Sequence, residues 1–202
     1  MHTNVGIEYV EFSSPLKLLG KVENYMQEII NTMKSSLRDV ATLSLVKLAK
    51  HGKEAWLAMD PAQTTLLINM LNWTKDVETA FGQIKGDKEA MKKCHLNQVK
   101  LLSDLIKMVQ GDLTKPMRQK IGCMITMDAH SRDIIEKLYL EKVFNSEEFQ
   151  WQSQLKVYWL EDKKDFNLKI ADAVFDYGYE YLGNGPRLVI TPLTDRIYVT
   201  AT

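Results

Sequence analysis

The sequence predicts a mainly α fold: an antiparallel helical bundle followed by a small β-hairpin and strand region. Three observations predict it. Apolar residues recur at steps of three and four from Val22 to Val143, the period of helices with one buried face. Gly and Pro punctuate that stretch, so short links join consecutive helices and favour antiparallel packing. After Gln150 the period changes to two, the alternation of half-buried strands.

The first helix follows Pro15, with Val22, Met26, Ile30, Met33 and Leu37 on its stripe, and His51-Gly52 ends it. Asp60-Pro61-Ala62-Gln63 starts the second. There Asp60 can accept orphan N–H groups, Pro61 needs no N–H at the first helical position, and Gln63 can reach back as in a capping box. The stripe that follows is Leu66, Met70, Trp73, Val77, Phe81 and Ile84, and Gly86 stops it. Trp73 is therefore expected to anchor a core. Asp87 caps a third helix with Met91, Cys94, Leu101, Leu105, Met108 and Val109 inward, closed by Gly111. Thr114 and Pro116 open a fourth, carrying Met117, Ile121, Met124 and Ile125. Asp128 interrupts it and caps a fifth, with Ile134, Ile135, Leu138, Tyr139 and Val143.

In the strand region Leu155, Val157 and Trp159 alternate with polar residues, and Glu161 to Asp165 form a charged turn. Phe166, Leu168, Ile170 and Val174 continue the pattern, followed by Phe175, Tyr177, Tyr179 and Tyr181. Tyr and Phe are expected on one face and Asp172, Asp176 and Glu180 on the other; a helix through 171–175 competes. Gly183 to Pro186 is a turn, and Leu188-Val189-Ile190 is a short strand that Pro192 ends.

Composition narrows function by exclusion. The chain has 202 residues, 45% apolar and 26% charged, which is ordinary globular usage. Lys plus Arg and Asp plus Glu are 26 each, so there is no electrostatic footprint for nucleic acid. Lys115, Arg118, Lys120 and Arg132 form a basic stretch without interleaved aromatics, read as a solvated face or a dock for an acidic partner. Cys94 and Cys123 read as reduced thiols. His2, His51, His95 and His130 are scattered without zinc spacing, so no metal site is expected. No run approaches the roughly 20 apolar residues of a bilayer span, and the first residues lack a signal-peptide core, so no membrane association is expected. There is no GxxxxGK[ST], no GxGxxG and no catalytic constellation.

Three strings near the C-terminus carry a resemblance. They are FQWQSQLKVYW at 149–159, YGYEYLGN at 177–184 and PRLVITPLTDRIY at 186–198. Asp60-Pro61-Ala62-Gln63, Asn72-Trp73-Thr74, Arg118-Gln119-Lys120-Ile121 and Asp128-Ala129-His130-Ser131-Arg132-Asp133 agree upstream. Together they resemble dynein heavy chain of the axonemal type, over nearly the whole sequence and least over 1–14 and 38–55.

The resemblance implies a place in a large ATP-driven microtubule motor. Residues 1–150 correspond to the C-terminal end of its linker, or lever, and 151–202 to the first strands of its first AAA+ module. The segment of Leu188, Val189, Thr191, Pro192, Leu193 and Thr194 corresponds to the wall beside the adenine. Leu188, Val189 and Pro192 can cover a flat purine, and backbone near Thr191 and Thr194 can read its edge. ATP or ADP with Mg is the implied cofactor of the complete motor, with none expected for the isolated chain. The implied partners are the rest of the motor ring, microtubules and other dynein chains, in the cytoskeleton of a cilium or flagellum axoneme. Ile197 and Ala201 depart from the family's usual Cys and Leu, on what is expected to be a strand. The phosphate-binding loop, Mg²⁺ ligands, arginine finger and stalk are absent, so the chain is expected to be a piece of a longer one. A helical scaffold without nucleotide chemistry is the competing reading. The strands from 155 onward are expected to be the weak region, lacking the sheet they would join.

Overall fold

The computed structural model describes residues 8–185 and 191–201. Among these the chain is mainly α, with seven helices and one three-stranded sheet. The expected strand at Leu188-Val189-Ile190 lies outside the described residues. The chain forms two compact units, and the third helix runs from one into the other.

One unit comprises the described residues up to Ile68, with Glu161–Asp165 and Tyr177–Gly185. Helix α1 is Val22–His51. Gly52, at φ 77°, ends it in a backbone conformation that a Cβ disfavours. A short helix that the sequence reading left unassigned follows, α2 at Lys53–Met59. Its Trp56 and Leu57 are fully buried. The α1 stripe is only half used: Leu37 is buried, while Val22, Met26 and Ile30 are exposed. Helical period marks a face that can be buried, and among the described residues nothing covers this part of it.

Helix α3 is Ala62–Gln83. Its start differs from the expected capping box. The Asp60 N–H donates to Trp56 O at 3.2 Å, closing α2, so Gln63 has no N–H there to reach back to. The Asp60 carboxylate, 2% exposed, accepts from Ser44 Oγ and Lys47 Nζ. Pro61 precedes the first helical residue, and its carbonyl accepts the Thr65 N–H at 3.0 Å.

The other unit comprises Asn69–Leu160, Phe166–Asp176 and the described residues 191–201. Helix α4 is Ala90–Gln110 and α5 is Lys115–Leu140. They pack on each other across the short 111–114 link. Asp87 stands ahead of α4, its Oδ1 accepting the Glu89 N–H at 3.0 Å. Gln98 and Leu102 are buried in α4, whereas Leu101 is only partly so.

Thr114 stands at the N-cap position of α5, without a side-chain cap hydrogen bond, and Pro116 lies in the first turn, where the sequence predicts the helix start. Asp128 does not break this helix. It is 1% exposed and accepts from Asn69 Nδ2 at 2.5 Å, so its carboxylate serves a contact with α3 rather than a cap. One continuous α5 therefore replaces the expected fourth and fifth helices. The basic stretch is also partly internal. Arg118 donates to Val109 O at 2.6 Å and Gly111 O at 3.0 Å, closing the end of α4, and Lys120 is buried.

The core of this unit gathers Trp73, Val77 and Phe81 of α3 with Met91, Ile135, Leu138 and Val143. At its centre is Trp151, fully buried, on the one-turn helix α6 at Phe149–Gln152. Its ring centroid lies 5.3 Å from that of Trp73 and 5.9 Å from that of Phe81, in edge and tilted geometries. Trp73 is the core anchor its stripe position predicts.

Strands β1 (Lys156–Leu160), β2 (Asp165–Ile170) and β3 (Ala173–Asp176) form the sheet in chain order. β2 and β3 pair antiparallel, Asn167 opposite Asp176 through Ile170 opposite Ala173. Ala171, at φ 49°, and Asp172 make the tight turn, which excludes the competing helix. The sheet ends at Asp176, so Tyr177, Tyr179 and Tyr181 are not strand residues despite their alternation. Nor does the sheet lack a partner. The Val157 N–H donates to Thr74 Oγ1 at 3.2 Å, the Tyr158 hydroxyl bonds the Glu78 carboxylate, and Val157, Phe166 and Ile170 are buried. Burial and the Glu78 charge raise the Tyr158 hydroxyl pKa. Strand β1 thus packs on α3.

Cys94 packs against the core of this unit, and burial, aided by the Asp76 carboxylate, pushes its thiol up to about 11. Since the thiolate is the nucleophile, Cys94 is expected to alkylate roughly 100-fold more slowly at pH 8 than a cysteine of the unfolded chain. Mass-spectrometric alkylation rates check this, and equal rates in native and denatured protein would contradict it.

Candidate functional site

Of the residues expected beside a nucleotide, Leu188 and Val189 lie outside the described residues. The others begin a helix rather than a turn leading into a strand. Helix α7 is Pro192–Ala201, so Ile197 and Ala201 are helical. The reason is local. Thr191 caps the helix and Pro192 takes its first position, where no N–H is needed. The Thr191 N–H donates to Thr194 Oγ1 at 2.9 Å, the Thr194 N–H to Thr191 Oγ1 at 3.4 Å, and Thr194 Oγ1 to Thr191 O at 2.7 Å. Two threonines three apart thus cap reciprocally, as in a capping box. Their hydroxyls are engaged by the helix start, and the exposed apolar side chain there is Leu193, 65% accessible.

On the same helix, Asp195 Oδ1 lies 3.5 Å from His130 Nε2 of α5. A cavity of about 70 Å³ adjoins the pair, lined also by Trp73, Ser131, Ile134 and Tyr198. Sequence reasoning assigned His130 no role, because nothing local marks a pairing across 65 residues.

Ahead of this helix, residues 177–185 form a strap with neither helix nor strand among the described residues. Side chains of its own unit hold it. Gln63 Nε2 donates to Tyr177 OH at 3.0 Å and to Glu180 O at 2.6 Å. Gln63 Oε1 accepts the N–H groups of Leu182 at 2.9 Å and Gly183 at 3.2 Å. The Tyr179 hydroxyl donates to Asp165 Oδ1 at 2.5 Å, and Arg38 of α1 pairs with Asp165 at 3.1 Å. Tyr177 and Tyr179 meet edge to face at 4.9 Å. Burial and the nearby Glu8 push the Tyr181 hydroxyl up to about 12, while Glu8 Oε1 accepts the Ala62 N–H at 2.8 Å.

The sequence has no GxxxxGK[ST] phosphate cradle. Among the described residues no three His, Cys, Asp or Glu side chains are grouped to hold a metal. Among them, too, no helix is long and apolar enough to cross a membrane.

Residues 177–202 match the family model described as the hydrolytic ATP binding site of the dynein motor region. That match covers the strap and α7 together. The chain is 51% identical over 203 aligned residues to the flagellar outer arm dynein alpha chain of Chlamydomonas reinhardtii, covering 100% of this chain. It is 41% identical over 196 residues to the ciliary dynein beta chain of Tripneustes gratilla, and 42% over 196 residues to human dynein axonemal heavy chain 9; each alignment covers 96% of this chain. The chain spans about 4% of the length of each of these relatives. Matched end to end at such identity, it belongs to the axonemal dynein heavy-chain family, as one short segment of it.

Proposed function

We propose that this segment joins a mechanical lever to the adenine side of an ATPase site in a microtubule motor. Residues 1–150 act as the C-terminal end of the linker, and 151–202 begin the first AAA+ module. Leu188, Val189, Thr191, Pro192, Leu193 and Thr194 wall the adenine. The observation that carries the reading is the match of residues 177–202 to an ATP-binding region of dynein. The exposed Leu193 beside the Thr191–Thr194 helix start is consistent with an apolar wall. The motor works in a cilium or flagellum, a reading supported by its flagellar and ciliary relatives.

The residues present fit the base end of ATP and not its phosphates or Mg²⁺, since the sequence has no GxxxxGK[ST]. When bound, Mg-ATP supplies the reactive phosphoryl group; this chain's residues only position the base. In a complete heavy chain, Leu193→Ala is expected to weaken binding of a fluorescent ATP analogue several-fold, by loss of apolar contact. Unchanged affinity would count against the wall.

The isolated 202-residue chain is expected to release no phosphate from Mg-ATP above background. Phosphoryl transfer needs a phosphate cradle, a metal and a positioned water. Metal-dependent release that changes at 188–194 abolish would overturn this.

A further inference from the structure

We propose that Gln63 is a positioning residue for the nucleotide-side segment: its amide latches residues 177–183 to the start of α3, tethering the chain immediately ahead of the proposed adenine wall. The inference rests on the reading of residues 188–194 as that wall. A Gln amide offers two N–H donors and one oxygen with two acceptor directions. Gln63 uses all four, on Tyr177 OH, Glu180 O, Leu182 N and Gly183 N. Glu keeps the acceptors and loses both donors. Met keeps the shape and loses everything.

The strap is built to open as a unit. It has no helix or strand ladder among the described residues, so side-chain bonds carry its protection. Its second anchor, Tyr179, sits at φ 49°, an unusual backbone for a bulky residue. Such a conformation persists only where surrounding contacts over-determine it. The Tyr179–Asp165–Arg38 chain supplies contacts on one side and Gln63 on the other. Removing Gln63 takes its four bonds out of the contacts that hold this turn. The strap and α3 therefore form a local two-position element: latched, with the nucleotide-side segment tethered to the helical part, or released.

Hydrogen exchange of this chain, read by mass spectrometry, tests the latch. Gln63→Met is expected to speed exchange across 177–185 by roughly tenfold or more, several hydrogen bonds being lost together, with α4 and α5 unchanged. Gln63→Glu should leave the Leu182 and Gly183 amides protected while the rest of the strap loosens, a split that general loss of packing would not give. Tyr177→Phe, which removes one partner, should speed exchange about threefold in the strap alone, and serves if Gln63→Met does not fold. Unchanged strap exchange, or equal acceleration throughout α4 and α5, would overturn the proposal. In a complete heavy chain, Gln63→Met is expected to raise KM for ATP several-fold with little change in kcat. If strap exchange rises while KM stays constant, the latch stands and the adenine-wall reading fails.

Discussion

Trp151→Ala and Trp73→Ala each lower the melting temperature by roughly 6–20 °C, while Lys115→Ala leaves it nearly unchanged. The two indoles are 0% and 5% exposed and meet edge to face at 5.3 Å. Truncating a buried Trp leaves a cavity that neighbours fill incompletely, at about 3–5 kcal/mol. For a chain of this size each kcal/mol shifts the midpoint by about 2–4 °C. Lys115 is exposed and touches no part of that core. Because the two rings share one contact, the double variant loses less than the two single losses added. Thermal melts of the parent and four variants check this. Equal melting temperatures for Trp73→Ala and Lys115→Ala would instead make Trp73 an exposed docking residue.

What the sequence made legible was the local physics. On the α3 stripe Leu66, Trp73, Val77 and Phe81 are buried, with Met70 and Ile84 partly so. Thr114 and Pro116 mark the start of α5, where Pro116 needs no N–H partner. The failures lie where a residue's partner is distant. Asp128 read as a helix breaker, because a mid-helix Asp competes for backbone N–H groups; its partner Asn69, 59 positions away, gives it another use. Tyr177, Tyr179 and Tyr181 alternate as strand residues do, yet Gln63 and Asp165 take two of their hydroxyls and the segment forms no strand. Trp151 lay at the edge of the helical stretch with no stripe to mark it, and it became the centre of a core.

The candidate site was proposed by a different route. Periodicity and spacing gave Leu188 to Thr194 no ligand; only the family resemblance did, and residues 177–202 match that family's ATP-binding region. The local chemistry was nonetheless in view. Thr-Pro-Leu-Thr at 191–194 is a helix-start signal, a cap with Pro at the first position. It went unread because the preceding apolar run suggested a strand that Pro192 would end. Gln63 shows the opposite error: a correct local rule, the capping box, claimed a side chain that long-range contacts had taken.

Asp60→Ala is expected to cost about 3–5 kcal/mol, more than Lys47→Ala. Asp60 is 2% exposed and accepts from both Ser44 Oγ and Lys47 Nζ. Ser44 Oγ in turn accepts the Trp56 Nε1–H at 2.6 Å. Removing the carboxylate strands a buried hydroxyl and loosens the hydroxyl that holds the fully buried Trp56. Removing Lys47 takes away a partly solvated ammonium, 36% accessible, and leaves the Ser44 bond in place. Ser44→Ala falls between them, at about 1–3 kcal/mol, because it leaves the Trp56 N–H and the carboxylate each without that partner. Asp60→Asn keeps an acceptor for Ser44 and loses only the charge, so it should destabilise less than Asp60→Ala. If Asp60 were only the helix cap that its place before Pro61 suggests, its loss would amount to about 1 kcal/mol, and Ser44→Ala would not track it. Denaturant unfolding of the four variants decides between network and cap. An Asp60→Ala chain no less stable than Lys47→Ala would show that the carboxylate organises nothing beyond the helix start.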